Sequence, residues 1–150
     1  MSANGLGAQY YEIINCALTS KEGLSPIIIK DSGSAGLTLN RETVVRAKQI
    51  SIEQKTLNSI VKEYGIKPAF IKMDVEGMGM DCLLGSMEII KEVRPALSIA
   101  IYHNPIEFFE IKPFLQQELP NYSFIIRKLS NLITNNSCHA ETILLAYPNQ

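Results

Sequence analysis

No stretch of the 150-residue sequence approaches the roughly eighteen consecutive apolar residues that a membrane span needs, so no membrane partner is expected. The opening, MSANGLGAQYYEIIN, lacks a basic segment followed by an apolar one. No secretory signal is read there, and a cytoplasmic location is expected. Basic residues form no stripe and the net charge is -1, which argues against a nucleic acid as partner. Cysteine is scarce. Cys16, Cys82 and Cys138 are odd in number, widely spaced and without a CxxC pair. Such a set supports neither a disulfide framework nor a structural zinc site and fits a reducing compartment. No metal site is expected. Cys16 and Cys82 lie among apolar neighbours and read as small core residues. The glycosylation-type triplets NYS (121–123) and NNS (135–137) are then chance matches. Internal repeats and low-complexity tracts are also missing.

What is present is an ordinary globular balance, 46% hydrophobic and 19% charged, in a length that suits one domain over residues 1–150. Strands are predicted over 10–19, 26–31 and 43–51, the last with an alternating pattern, and the early region reads as an antiparallel meander. The pattern then changes. Leu57, Ile60, Val61 and Tyr64 recur at helical spacing up to Gly65, which predicts a helix over 53–64. A strand over 69–75 follows, and then a helix over 81–93. Asp81 in its first turn and Lys91 and Arg94 near its end suit the helix dipole, and Pro95 stops it. A strand over 96–103 leads to a helix over 106–118, with a possible break at Pro113. Strands over 122–129 and 141–148, joined by a loop, close the chain as an antiparallel hairpin. Helix–strand alternation between residues 51 and 119 implies right-handed crossovers and a parallel core. The fold class is therefore α/β, a parallel core with antiparallel C-terminal strands.

The segment FIKMDVEGMGMDCLLGS (70–86) marks the place for chemistry. An apolar strand ends in Asp74 and Glu76, and Gly77 and Gly79 precede the next helix. In open α/β sheets ligands bind beyond the carboxyl ends of the strands. Strands 69–75 and 96–103, as parallel neighbours about 4.8 Å apart, would bring Asp74 and Glu76 to the same edge as Tyr102, His103 and Asn104. A structural reading stands beside this one: Asp74 and Glu76 cap the next helix or satisfy loop amides, and His103 is a hydrogen-bonded loop histidine. His139, in a polar loop, has a weaker claim. SGSAG (32–36) resembles an anion-binding loop only in its glycine content.

FIKMDVEG, LLGSMEIIKEVRPALSIAIYHNP, IKPFLQQELPNYSFIIRKLS and ETILLAY, with the upstream INCAL, GSAGL and KQISIEQKTLNSIVKEYGI, together resemble the C-terminal half of the FkbM-type methyltransferases. The resemblance runs from about residue 10 to residue 147 and rests on the order and spacing of whole segments. It implies a partial Rossmann-like sheet of the class I methyltransferase type and transfer of a methyl group from S-adenosylmethionine to an acceptor, often a hydroxyl. It would place Asp74 and Glu76 at the mouth of the cofactor and acceptor site. Tyr102, His103, Glu141 and Thr142 would lie beside a small-molecule or glycan acceptor, and Asn15, Ala17 and Leu18 near the adenine end of the cofactor.

Two departures from the family pattern follow. Asp74, Glu76 and Gly77 match a motif whose last glutamate is replaced here by Gly79. The glycine-rich loop and ribose-binding carboxylate of the family's N-terminal half have no counterpart; ANGLG (3–7) has no strand before it. The expectation is an O-methyltransferase of the FkbM type in truncated form, with Asp74 or His103 as base and Glu76 orienting the acceptor. The alternatives are a non-catalytic remnant or accessory domain, and one half of a split enzyme. Strand 69–75 would then form an apolar edge or pair with an early strand such as 43–51, and an open edge invites a homodimer or a complementing chain.

Overall fold

The computed structural model describes residues 10–30, 47–128 and 141–149. Two sheets are present among them. The smaller has β1 (Ala17–Leu18), β2 (Gly23–Lys30) and β3 (Ala47–Lys55) in the order β1-β3-β2, with β3 parallel to β1 and antiparallel to β2. The larger has β4 (Phe70–Met73), β5 (Ala96–Ala100), β6 (Tyr122–Lys128) and β7 (Thr142–Pro148) in the order β4-β5-β7-β6. β4 and β5 are parallel, with Met73 opposite Ile99; β7 lies antiparallel between β5 and β6. The helices are α1 (Leu57–Tyr64), α2 (Gly79–Leu84), α3 (Met87–Val93) and α4 (Pro105–Glu118). The parallel core and the antiparallel C-terminal pair are as expected from the sequence.

The core joins the helices to the two central strands of the larger sheet. Leu83, Ile90, Leu97, Ile99, Ile101, Ile111, Leu115 and Leu144 are fully buried in it. β5 alternates buried and half-buried residues as a central strand should, whereas Phe70 on the edge strand β4 is 58% exposed. β3 pairs with β1 and β2 and not with β4, so among the described residues β4 is an edge of its sheet, the first of the two alternatives.

Several boundaries differ from the sequence reading. The strand expected over 10–19 is reduced to Ala17–Leu18. Tyr10, Tyr11 and Ile13, which made the segment look strand-like, are exposed, and a strand forms only where a ladder partner is available. β3 runs on to Lys55 because its register with β2 continues to Gly23–Gln54. Tertiary pairing there overrides local helix propensity. Helix α1 consequently starts four residues late, behind Thr56, whose side chain accepts from the Ser59 N–H. Residues 101–103 leave the sheet after Ala100 and build the loop described below. Pro113 does not break α4. It lies on the solvent side of the helix, where the carbonyl it leaves unpaired faces water. Residues 3–7, 31–46, Cys138 and His139 lie outside the described residues, so the readings made of them do too.

The helix expected over 81–93 is divided at Gly85 and Ser86 into α2 and α3. The reason is packing. A Cβ on Gly85 would overlap the Thr19 carbonyl oxygen, so the chain between β1 and β2 lies directly against the Gly85 backbone. Asn58 of α1 clamps the joint from another side: its N–H donates to the Gly85 carbonyl (3.1 Å), and its side chain accepts from the Ile89 N–H (3.0 Å). The same contact region holds the two sheets together. Asp81 accepts from the Ser20 N–H (3.0 Å) and hydroxyl, and the Cys82 thiol donates to the Leu18 carbonyl (2.9 Å). Burial, reinforced by the charges of Asp81 and Glu107, pushes that thiol up to about 12, so Cys82 is a neutral packing residue.

Gly85→Ala is therefore expected to destabilise the fold by about 1–3 kcal/mol in urea unfolding. An unchanged midpoint would show that Gly85 does not carry this close approach.

Candidate functional site

The site is built by two loops at one sheet edge. Because β4 and β5 are parallel and in register, the residues after Met73 and after Ala100 emerge side by side. The first loop turns sharply. Glu76 (φ 50°) and Gly77 (φ 94°) both adopt left-handed backbone, which is costly for a glutamate and free for a glycine. At Gly77 a side chain would also crowd the Asn104 amide, 3.1 Å from the place of its Cβ. Asn104 ties the loops together: its Nδ2 donates to the Gly77 carbonyl (3.1 Å), while its Oδ1 caps α4 by accepting from the Glu107 N–H (2.9 Å).

His103 lies between the loops with its side chain only 11% exposed. On one side its Nδ1 is 3.1 Å from Glu107 Oε2; on the other its Nε2 is 3.5 Å from Asp74 Oδ1 and 3.7 Å from Glu76 Oε2. Nε2 is shielded from solvent and makes no hydrogen bond. The Tyr102 ring packs on the imidazole with centroids 4.1 Å apart. Its hydroxyl donates to the same Asp74 Oδ1 at 3.4 Å, and Lys72 Nζ approaches the other oxygen at 3.4 Å. Asp74 is thus the meeting point of the site. Burial, then the negative charges of Asp74, Glu141 and Glu76, together with the hydrogen bond to Asp74, raise the Tyr102 phenol above its ordinary value, which keeps it a donor.

Asp74 opens on a cleft of about 180 Å³, lined by Lys72, Asp74, Ser98, Tyr102 and Glu141 with apolar walls from Met73, Ala100 and Ile143. Asp74, Glu76, Tyr102, His103 and Glu141 are therefore gathered at one place. Thr142, the residue after Glu141, bonds through its carbonyl to the Ile101 N–H (3.0 Å) and does not line the cleft. Asn15, Ala17 and Leu18 belong to the smaller sheet and its approach, and they do not line it either. Among the described residues no group of three or more His, Cys, Asp or Glu side chains could hold a metal ion.

Glu107 was not singled out by sequence reasoning. Its side chain is 1% exposed, and its Oε1 accepts from the Gly79 N–H at 2.9 Å. A Cβ on Gly79 would come 2.8 Å from that oxygen, so a larger residue at 79 would displace the carboxylate. At the position where the family motif carries its last glutamate, a carboxylate arrives instead from α4. The signal was available in HNPIE: Asn104 and Glu107 have N-cap and N3 spacing, and Glu107 stands four residues beyond His103.

The comparisons with known proteins agree with this architecture. The sequence matches the Methyltransferase FkbM domain over residues 2–133. The fold is similar to the crystal structure of Methyltransferase FkbM from Methylobacillus flagellatus KT, with a TM-score of 0.58 and 20% identity over 88% of this chain. The chain spans 27% of the length of that protein. No curated protein matches the sequence.

The raised phenol of Tyr102 makes stability depend on pH. The folded state holds the phenolic proton more tightly than the unfolded state, so this contribution to stability is complete below about pH 10 and is lost as pH rises through the folded value. The ultraviolet difference titration of wild type against Tyr102→Phe is expected to show one phenol ionising above the ordinary range. Ionisation at or below that range would contradict the placement of Tyr102 beside Asp74.

Proposed function

Because the chain belongs to the FkbM methyltransferase family, we propose that it forms the acceptor side of an S-adenosylmethionine-dependent O-methylation site, with a small molecule or glycan as acceptor. The observation that carries this reading is the position of Asp74, which faces the cleft while His103 stands buried behind it. When bound, S-adenosylmethionine supplies an electrophilic methyl group and departs as a neutral thioether, so the acceptor hydroxyl has one proton to lose. Asp74 Oδ1 takes that proton. His103 Nε2, close behind, is the next site for it, and Glu76 on the rim orients the acceptor. The Tyr102 hydroxyl fixes the rotamer of Asp74. The carboxylates Asp74 and Glu141 along the cleft favour a cationic sulfonium over a neutral group.

The cleft fits one end of the cofactor and not its whole. At about 180 Å³ it is below the roughly 300–1,000 Å³ of complete small-molecule pockets, and Asn15, Ala17 and Leu18 do not extend it. We assign the remaining wall to polypeptide other than the described residues, in the same chain or in a complementing one. The open edge of β4, with Phe70 exposed, offers backbone groups to such a strand. The same small cleft supports a second reading, a non-catalytic accessory domain that keeps the fold.

Two measurements follow. Isothermal titration of the 150-residue chain with S-adenosylmethionine is expected to give a dissociation constant well above about 1 μM; tighter binding would mean that these residues alone complete the cofactor site. In the polypeptide as expressed in its own cells, labelled methyl transfer to hydroxylated acceptors is expected to fall by about 10²–10⁴-fold in kcat with Asp74→Asn. An unchanged kcat would remove Asp74 from the reaction, and no transfer in any form would select the accessory reading.

A further inference from the structure

We propose that Glu107 is a positioning residue that fixes the tautomer of His103, holding a proton on Nδ1 so that Nε2 is the nitrogen that receives one from Asp74. The proposal rests on the reading of Asp74 as the group that meets the acceptor. Its own evidence is geometric. The Glu107 side chain is 1% exposed, and each of its oxygens has a partner. Oε1 accepts from the Gly79 N–H (2.9 Å), and Oε2 lies 3.1 Å from His103 Nδ1. A carboxylate only accepts, so the imidazole nitrogen beside Oε2 is the donor. Nδ1 therefore carries hydrogen and, in the neutral ring, Nε2 carries a lone pair.

In this tautomer Nε2 has no hydrogen to donate, in keeping with the hydrogen bond it does not make. Nε2 is buried and makes no hydrogen bond, yet carboxylate oxygens of Asp74 and Glu76 stand 3.5 and 3.7 Å away. A buried polar atom without a partner is uncommon and calls for a role. Here it is a site for a proton. When the proton passes from Asp74 Oδ1, one O–H bond breaks and one N–H bond forms at Nε2. The positive charge then on the ring is offset by Glu107 behind it and by Asp74 and Glu76 in front. Tyr102, against the ring face, stays a neutral donor. The alternative, that Glu107 only caps its own helix, fits less well. In a capping box the N3 carboxylate turns back to the N-cap N–H, whereas both oxygens of Glu107 are engaged elsewhere.

Long-range ¹H–¹⁵N correlation spectra of the imidazole tests this directly, at a pH where the ring is neutral. The other histidine, His139, is identified with His139→Gln. His103 of the wild type is expected to show Nδ1 protonated and Nε2 unprotonated. In Glu107→Gln, where the amide can accept from Gly79 and donate to Nδ1, the tautomer is expected to reverse. Nε2 protonated in the wild type would overturn the proposal. So would an unchanged tautomer in a Glu107→Gln variant that keeps the wild-type amide spectrum; if that variant fails to fold, the wild-type spectrum decides alone. Because the readout needs no methyl transfer, a failed activity assay with the expected tautomer would count against the functional reading and not against the role of Glu107.

Discussion

A single carboxylate closes the site. Glu107 reaches from the first turn of α4 to the backbone at the start of α2, and its other oxygen meets the imidazole of His103. Without it the two loops beyond β4 and β5 would be joined by the pairing of their strands, the Asn104–Gly77 bond and the long Tyr102–Asp74 bond. With it the loops are fastened at Gly77 and again at Gly79, one by a donor and one by an acceptor. The arrangement is demanding. A carboxylate buried to this extent is tolerated only while its partners remain, because a buried charged group left unsatisfied costs more than the roughly 1–3 kcal/mol of a neutral one.

The glycines of the first loop follow from that closure. Gly77 supplies a left-handed turn under the Asn104 amide, and Gly79 leaves the space that the Glu107 carboxylate fills. Seen in the sequence alone, Gly79 was the loss of a family carboxylate. In the fold, the space beside Gly79 holds a carboxylate that comes from a helix twenty-eight residues on. A carboxylate thus stands at the loop from the helix side, next to His103. A motif read only along the chain registers this as a deletion.

Legibility in the sequence followed the range of the interactions. The parallel pair β4 and β5, the helix between them and the C-terminal hairpin depend on local pattern and on stop residues such as Gly65 and Pro95, and these were readable. The convergence of Asp74, Glu76, Tyr102 and His103 was readable too, because parallel strands share an edge by geometry. The break at Gly85 was not, since it comes from Thr19 and Asn58, distant in sequence and carrying no periodic signal. The start of α1 was misplaced for a related reason: pairing with β2 holds SIEQK as strand although its composition also suits a helix. Glu107 was overlooked because a capping-box spacing ordinarily ends at the helix itself.

Glu107 joins the two loops through the Gly79 amide. Gly79 is the first residue of α2, where a backbone N–H has no partner inside the helix and ordinarily exchanges with solvent freely. Amide hydrogen exchange at Gly79 is the direct measurement. Strong protection, comparable to that of the buried strand β5, is the expected result. Free exchange at Gly79 in a chain whose β5 amides are protected would contradict the closure of the two loops and the site built on it.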